Sequence, residues 1–463
     1  MKPRTETDAF GSVEIPEGAL WGPQTARSLV FFKIGDQRMP IELIHALGAI
    51  KEAAAKVNHE LELLEPARAR AIAEAAHQVA AGLHDQQFPL SVWQTGSGTQ
   101  TNMNVNEVVA NLASSFIGME AGLSRMIHPN DEVNLGQSSN DCFPSAMHIA
   151  VLQENRTRLT PALESLRAAL SAKATQFKEV IKVGRTHLQD ATPVTFGQEF
   201  GGYAAQLQLC QLNLAFSIEA LHHLAIGGTA VGTGLNTHPQ FAERVIQQLS
   251  DKLNLPLRQA NNLFAAMSGH EPLVAFHSSL KLAAIAVSKI ANDIRLMASG
   301  PRAGFGELRL PQNEAGSSIM PSKVNPTQIE ALTMVCLQVQ GLDLSIGLAA
   351  ASGQFELNAY KPLIILNTLK SIRLFSDAMN SFVQHCLIGL AANEEFLATQ
   401  VRNSLMLVTA LAPHIGYDDA ARCAKYASDQ KLSLRDAAIK LNLVSGSNFD
   451  LWVDPRKMTG INS

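Results

Sequence analysis

Four stretches of this chain break an aliphatic background with closely spaced polar side chains able to hold or move charge. The first is Gln94-Thr95-Gly96-Ser97-Gly98-Thr99-Gln100-Thr101-Asn102, followed by Asn104 and Asn106. Small hydroxyls between glycines let Oγ atoms and backbone amides converge on an anion, as phosphate and carboxylate cradles do. Taken alone it also reads as a Gly/Ser loop ahead of a helix cap. It is not a dinucleotide fingerprint, because GxGxxG is incomplete and no strand precedes it.

The second stretch, from Arg125 to Asp141, holds His128-Pro129-Asn130-Asp131 and Ser138-Ser139-Asn140-Asp141. Pro-Asn-Asp is ordinary turn chemistry, and Ser-Ser-Asn-Asp an ordinary helix N-cap. A cap that leaves other N–H groups free is also a carboxylate site, since the helix dipole favours negative charge there. The third runs Gly316-Ser317-Ser318-Ile319-Met320-Pro321-Ser322-Lys323-Val324-Asn325-Pro326 into a long helical pattern. Asn325 as N-cap, Pro326 at the first helical position and Gln328 at the third make a start signal like a capping box. That leaves two serines and a lysine in a loop without other charges, a combination suited to an anion. The fourth, Gly184-Arg185-Thr186-His187-Leu188-Gln189-Asp190, puts a histidine in a polar connection; with 14 histidines in the chain, His187 gains weight only from its neighbours.

These stretches must be positioned by helices. Apolar residues at Ile41, Ile44, Leu47, Ile50, Ala54, Val57, Leu61 and Leu64 define one helical face, opened by Pro40 and closed by Glu65-Pro66. An Ala-rich helix is expected from Ala67 to Leu83, and much longer patterns cover Asp141 to Phe177, Phe196 to Leu224, Pro272 to Ala298, Pro326 to Ala350 and Lys361 to Leu387. Pro161 is expected to kink the first of these. Strand candidates are short, Val180 to Val183 and Gly306 to Leu310. Five long aliphatic helices read as a bundle, and the fold class is all-α. Boundaries are expected near residues 136 and 390, giving an N-terminal, mostly helical part (1–136), a central long-helix bundle (137–390) and a small C-terminal helical part (391–463).

Composition agrees. Of 463 residues 46% are apolar but only 6% aromatic, and charged residues make up 17%, against about 25% in a typical soluble domain. A large, sparsely charged chain is expected to bury surface between subunits. The net charge of −4 gives no basic excess for nucleic acid. The longest uncharged run, Ala220 to Ala242, contains four glycines, three histidines and Pro239, so it is not a continuous membrane span, and no membrane helix and no membrane partner are expected for the chain. The N-terminus mixes Lys2, Arg4, Glu6 and Asp8 without an apolar run, so no signal peptide is expected. Five scattered cysteines without CxxC fit reduced thiols in a cytoplasm.

Together the four stretches resemble the fumarase/aspartase superfamily, whose GSSxMPxKxN signature is matched from Gly316 to Asn325 without a gap, with SGT, HPND, SSND and GRTH in the family's order. The resemblance spans essentially the whole chain, from Leu20-Trp21-Gly22 to His414-Ile415-Gly416-Tyr417. His187 and Ser139 fall on the class II fumarase side, where aspartases carry Gln and Thr. The resemblance implies reversible anti addition of water to fumarate, giving L-malate, without metal or organic cofactor. It also implies a homotetramer with a twenty-helix core and active sites shared between subunits.

Carried over residue by residue, Ser317 would be the base, an alkoxide stabilised by Lys323 and loop amides. His187 would handle the proton of the departing hydroxyl, oriented by Glu330, and Lys323 and Asn325 would hold the reacting carboxylate. Ser97, Gly98, Thr99, Ser138, Ser139, Asn140, Thr186, Ser318 and Val324 would complete the dicarboxylate cradle. Arg125, His128, Pro129, Asn130 and Asp131 match a second dicarboxylate site. Fumarases usually have Gly where Ser322 stands; a positive φ there would strain the serine. Alternatives within the superfamily are an aspartase or a hydratase of methylated fumarates such as mesaconate, and outside catalysis a structural protein like the lens crystallins.

Overall fold

The apolar face read at 41–64 forms a helix over Ile41–Glu60, with Ile44, Leu47, Ile50, Ala54 and Val57 all buried. The chain reverses through Leu61 to Leu64. It re-enters a helix at Pro66–Ala80, where Glu65 caps the start by accepting N–H bonds from Ala67 and Arg68, both 3.0 Å. These two helices belong to a first compact unit, Met1–Pro161 with Cys210–Ala284 and Cys336–Ser376; the second unit is Ala162–Leu209 with Ile285–Val335 and Asp377–Ser463. This is a computed structural model, and it describes residues 3–118 and 127–460.

The long patterns become helices over Ser139–Glu154, Thr160–Gln176, Phe196–Ile218, Glu271–Met297, Thr327–Ala350 and Lys361–Phe382. The first expected helix is thus interrupted, but ahead of Pro161 and not at it. Asn155–Leu159 widens into a π turn, Thr160 N–H donating to Asn155 O. Pro161 has no N–H to give back to the preceding turn, and the wider turn accommodates that loss. A second π turn, Val383–Leu387, ends the Lys361 pattern. The Phe196 helix also stops early, at Ile218, where a tight turn leads into a two-residue strand.

The fold is all-α. Strands among the described residues form only two-stranded pieces. The largest is a hairpin of Ile181–Thr186 with Gln189–Thr195, and another pairs Leu308–Arg309 with Ala391–Ala392. In the second unit Phe177, Phe196, Phe200 and Tyr203 form an aromatic cluster of tilted and edge-to-face pairs with ring centroids 5.5–6.1 Å apart. Its C-terminal residues build a small core from Leu407, Leu411, Cys423, Leu434, Ala437 and Phe449.

Among the described residues two helices, Glu271–Met297 and Thr327–Ala350, are long and apolar enough to cross a membrane by length and composition alone. The second exposes Met334, Leu337, Leu344 and Leu348, each more than 60% accessible, along one side.

Candidate active site

In the first unit the Gly/Ser stretch ends in the helix Thr99–Phe116, entered through Gly98 at φ +77°. A Cβ on Gly98 would stand 2.2 Å from the Phe143 ring, so only glycine lets this turn lie against the neighbouring helix. Ser97 Oγ lies 2.8 Å from Thr99 Oγ1, and Thr99 Oγ1 2.9 Å from Ser139 Oγ. The three hydroxyls form a row across the N-termini of the Thr99 and Ser139 helices, where two sets of orphan N–H groups and two positive dipole ends converge. A carboxylate fits this setting. Ser138 caps the second helix in a reciprocal capping box with Asp141.

Asp141 does more than cap. It is fully buried; Oδ1 accepts the Ser138 N–H at 2.9 Å, and Oδ2 those of Gly227 at 3.2 Å and Thr229 at 2.9 Å. Burial pushes its carboxyl up to about 6, against the downward pull of those amides. Asn140 Nδ2 donates to Ala230 O at 2.8 Å, so segment 227–230 is fastened beside the hydroxyl row. Behind the Gly/Ser loop, Lys361 gives its backbone N–H to Gly96 O at 3.1 Å. Its ammonium is fully buried without a hydrogen-bond partner, and burial pulls it down to about 7. Neither Asp141's grip on 227–230 nor the buried Lys361 carries a sequence signal, since both depend on tertiary neighbours.

The HPND stretch forms a turn over Pro129–Val133, capped by His128, whose Nδ1 accepts the Asp131 N–H at 3.1 Å. His128 and Asp131 side chains are exposed, and Arg125 lies outside the described residues. A cavity of about 550 Å³ is lined by Asn130 and Asp131 together with Ser138, Thr229 and Ala230, so the HPND turn and the hydroxyl-row helix share one recess.

In the second unit His187 and Leu188 are the two-residue loop of the Ile181–Thr195 hairpin, between the paired Thr186 and Gln189. Both have positive φ, +55° and +60°, as a type I′ turn requires. Such turns normally take Asn-Gly; for non-glycine residues the left-handed region costs about 1–2 kcal/mol each. His187 and Thr186 are exposed at the tip.

The signature loop folds back on itself. A Cβ on Gly316 would stand 1.9 Å from Lys323 O, and Asn325 Nδ2 donates to Gly316 O. Ser317 Oγ accepts two backbone N–H bonds, from Ile319 at 3.2 Å and Met320 at 3.1 Å. Lys323, Ser318 and Val324 are exposed, and among the described residues the Lys323 ammonium has no partner. Ser322 has φ +65°, the strained conformation anticipated for a serine at this position. The expected capping box does not form: Asn325's amide closes the loop, Gln328 Oε1 accepts from Ser381 Oγ at 2.7 Å, and the helix begins at Thr327. Glu330 faces Arg295 at 3.7 Å, and no bond joins it to His187 among the described residues of the single chain. Nor are any three His, Cys, Asp or Glu side chains among them gathered as metal ligands.

Comparison with known proteins covers nearly the whole chain. Residues 11–341 match the family model described as Lyase, and residues 407–460 the one described as Fumarase C C-terminus. The chain is 56% identical to the Fumarate hydratase class II of Chromobacterium violaceum over 98% of its own length and 99% of that protein. It is 56% identical to that of Nitrosomonas europaea over 99% of each. A crystal structure of class II fumarase from Schistosoma mansoni superposes with a TM-score of 0.96 at 43% identity, covering 100% of both chains.

Proposed function

The chain belongs to the class II fumarases of the fumarase/aspartase lyase superfamily, and from that premise we propose that it acts as a fumarate hydratase, interconverting fumarate and L-malate. The observation that carries the reading is the pair of loop amides on Ser317 Oγ. A serine hydroxyl is a poor base unless its anion is stabilised, and two N–H donors already aimed at the oxygen supply part of that stabilisation.

In the dehydration direction Ser317 takes the proton from the malate carbon next to a carboxylate, and negative charge spreads onto that carboxylate as an aci-carboxylate. Lys323 and Asn325 hold it there, the free Lys323 ammonium being suited to that charge. His187, presented at the tip of its turn and supported by Glu330, then passes a proton to the departing hydroxyl on the opposite face. Ser97, Thr99, Ser139 and Asn140 receive the other carboxylate at the two helix N-termini, with Gly98, Ser138, Thr186, Ser318 and Val324 shaping the cradle. No metal or organic cofactor enters these steps. His128 to Asp131 belong to a second dicarboxylate site, whose Asn130 and Asp131 open on the shared recess; Arg125 is assigned to it by the family motif alone.

The chain is proposed to work as a homotetramer whose active sites combine motifs from different subunits. The exposed stripe Met334, Leu337, Leu344 and Leu348 supports this, being too large an apolar surface to leave in water. The His187–Glu330 bond, not made within one chain, is proposed to form between subunits. Five free, buried cysteines support a reducing cytoplasm. The test is direct. Purified protein given L-malate at neutral pH without added metal should develop the ultraviolet absorbance of fumarate, and silence would sink the reading.

A further inference from the structure

We propose that Glu307 is a positioning residue for this reaction, the pin that holds the His187 turn and the root of the Ser317 loop as one piece. The proposal rests on the roles given above to His187 and Ser317.

A His-Leu pair has no local preference for two successive positive φ values, so the turn must be imposed by what lies behind it. Directly behind it are Lys182 and Arg185 on the first hairpin strand. In a flat strand residues three apart face opposite ways. Here the register shifts between Val183 and Arg185, twisting the hairpin, and both cations reach one carboxylate. Arg185 Nη1 donates to Glu307 Oε1 at 2.7 Å, and Lys182 Nζ stands 3.2 Å from Oε2. Glu307 is completely buried.

The carboxylate itself starts from a fixed point. Glu307 N–H donates to Met297 O and Glu307 O accepts from Asn393 N–H, both at 2.9 Å. From there the chain runs through the strand Leu308–Arg309 toward Ser317, its stem held by Asn313 Nδ2 on His385 O at 2.7 Å. Glu307 therefore ties the strand that leads into the His187 turn to the segment that leads into the signature loop. Two long cationic side chains on one buried anion fix direction as well as distance, which is what a proton-transferring imidazole on an exposed tip requires.

Loss of the Glu307 charge should leave a folded protein. Lys182 keeps Glu199, at 3.1 Å, and Arg185 keeps its place over the Phe305 ring, 4.5 Å from the centroid. The experiment compares Glu307→Gln, His187→Asn and the double variant in malate dehydration, beside the wild type. Glu307→Gln should lower kcat on the order of 10²-fold, the cost of a misplaced group, with KM within about three-fold. In the His187→Asn background the same change should cost less than about three-fold, since the imidazole it positions is gone. Glu307→Asp should recover part of kcat. Equal losses in both backgrounds, or wild-type kcat in Glu307→Gln, would overturn the proposal. Should Glu307→Gln not fold, Arg185→Gln decides: a smaller kcat loss with the same non-additivity supports the pin, and unchanged kcat refutes it. A silent wild type would instead count against the hydratase reading, and a fully active His187→Asn against the role of His187.

Discussion

The Thr99 hydroxyl stands 2.9 Å from the Ser139 hydroxyl, so the first residue of one helix touches the first residue of another. Neither helix N-terminus is left to water alone. Together they present a double positive end lined with oxygens that can donate or accept. Ser139→Ala should therefore lower kcat/KM for malate about 10–100-fold, the equivalent of about 1.5–3 kcal/mol for a hydrogen bond to a charged group. The melting temperature should stay within about 2 °C, because the row is not part of the core. Steady-state kinetics and a thermal scan check both parts.

Ser322, at φ +65°, sits between Ser317, the proposed base, and Lys323. Glycine there would remove about 1–2 kcal/mol of left-handed strain and add about 0.5–1 kcal/mol of unfolded-chain freedom, so Ser322→Gly should barely move the denaturation midpoint. Valine is β-branched and cannot hold this φ. Ser322→Val should keep the fold and lose at least about ten-fold in kcat as the loop opens. Urea unfolding and turnover, measured on the same preparations, separate the two effects.

Lys361 gives a pH-dependent prediction. Burial lowers its pKa from 10.5 to about 7, so unfolding takes up a proton between those values. Stability contributed by the neutral amine is present above about 10.5 and lost as pH falls toward about 7. Lys361→Met should then be more stable than wild type at pH 7 by an amount on the order of a few kcal/mol. The advantage should shrink steadily toward pH 10. Chemical denaturation of both proteins across that range is the check, and a constant difference would refute the assignment.

Sharing of sites among subunits is tested by mixing. Ser317→Ala and Ser139→Ala chains, co-refolded into mixed tetramers, should exceed the activity of either parent, since some sites regain both residues. Activity no higher than the parental average in verified mixed tetramers would place each site within one chain.

Much of this was legible in the sequence. The 41–64 face and the starts of the five long patterns follow from apolar spacing and from prolines and glycines at their ends. The four polar stretches stand out against the aliphatic background, but the Gly/Thr-rich 227–237 segment, equally polar, gave no sign that Asp141 and Asn140 would fasten it beside the hydroxyl row. The π turn at Asn155–Leu159 was not legible: Pro161 announces trouble, but which turn absorbs it depends on packing. Asn325 reads as a cap in the sequence, since asparagine at that spacing suits either a helix start or a loop closure, and only Gly316's carbonyl decides. His187's left-handed turn gives no local sign, because neither histidine nor leucine advertises a positive φ. Glu307, ten positions ahead of Ser317, looked like one more strand residue.

The stripe of Met334, Leu337, Leu344 and Leu348 has a further consequence for how the protein comes into being. In the proposed tetramer this surface is covered by partner subunits, and a newly made chain would carry it before it has met one. Assembly is then a race of second order in concentration, run against every other sticky surface in the cell. Dilute chains meet too seldom and crowded unfolded ones meet wrongly, so recovery from denaturant should peak at an intermediate protein concentration.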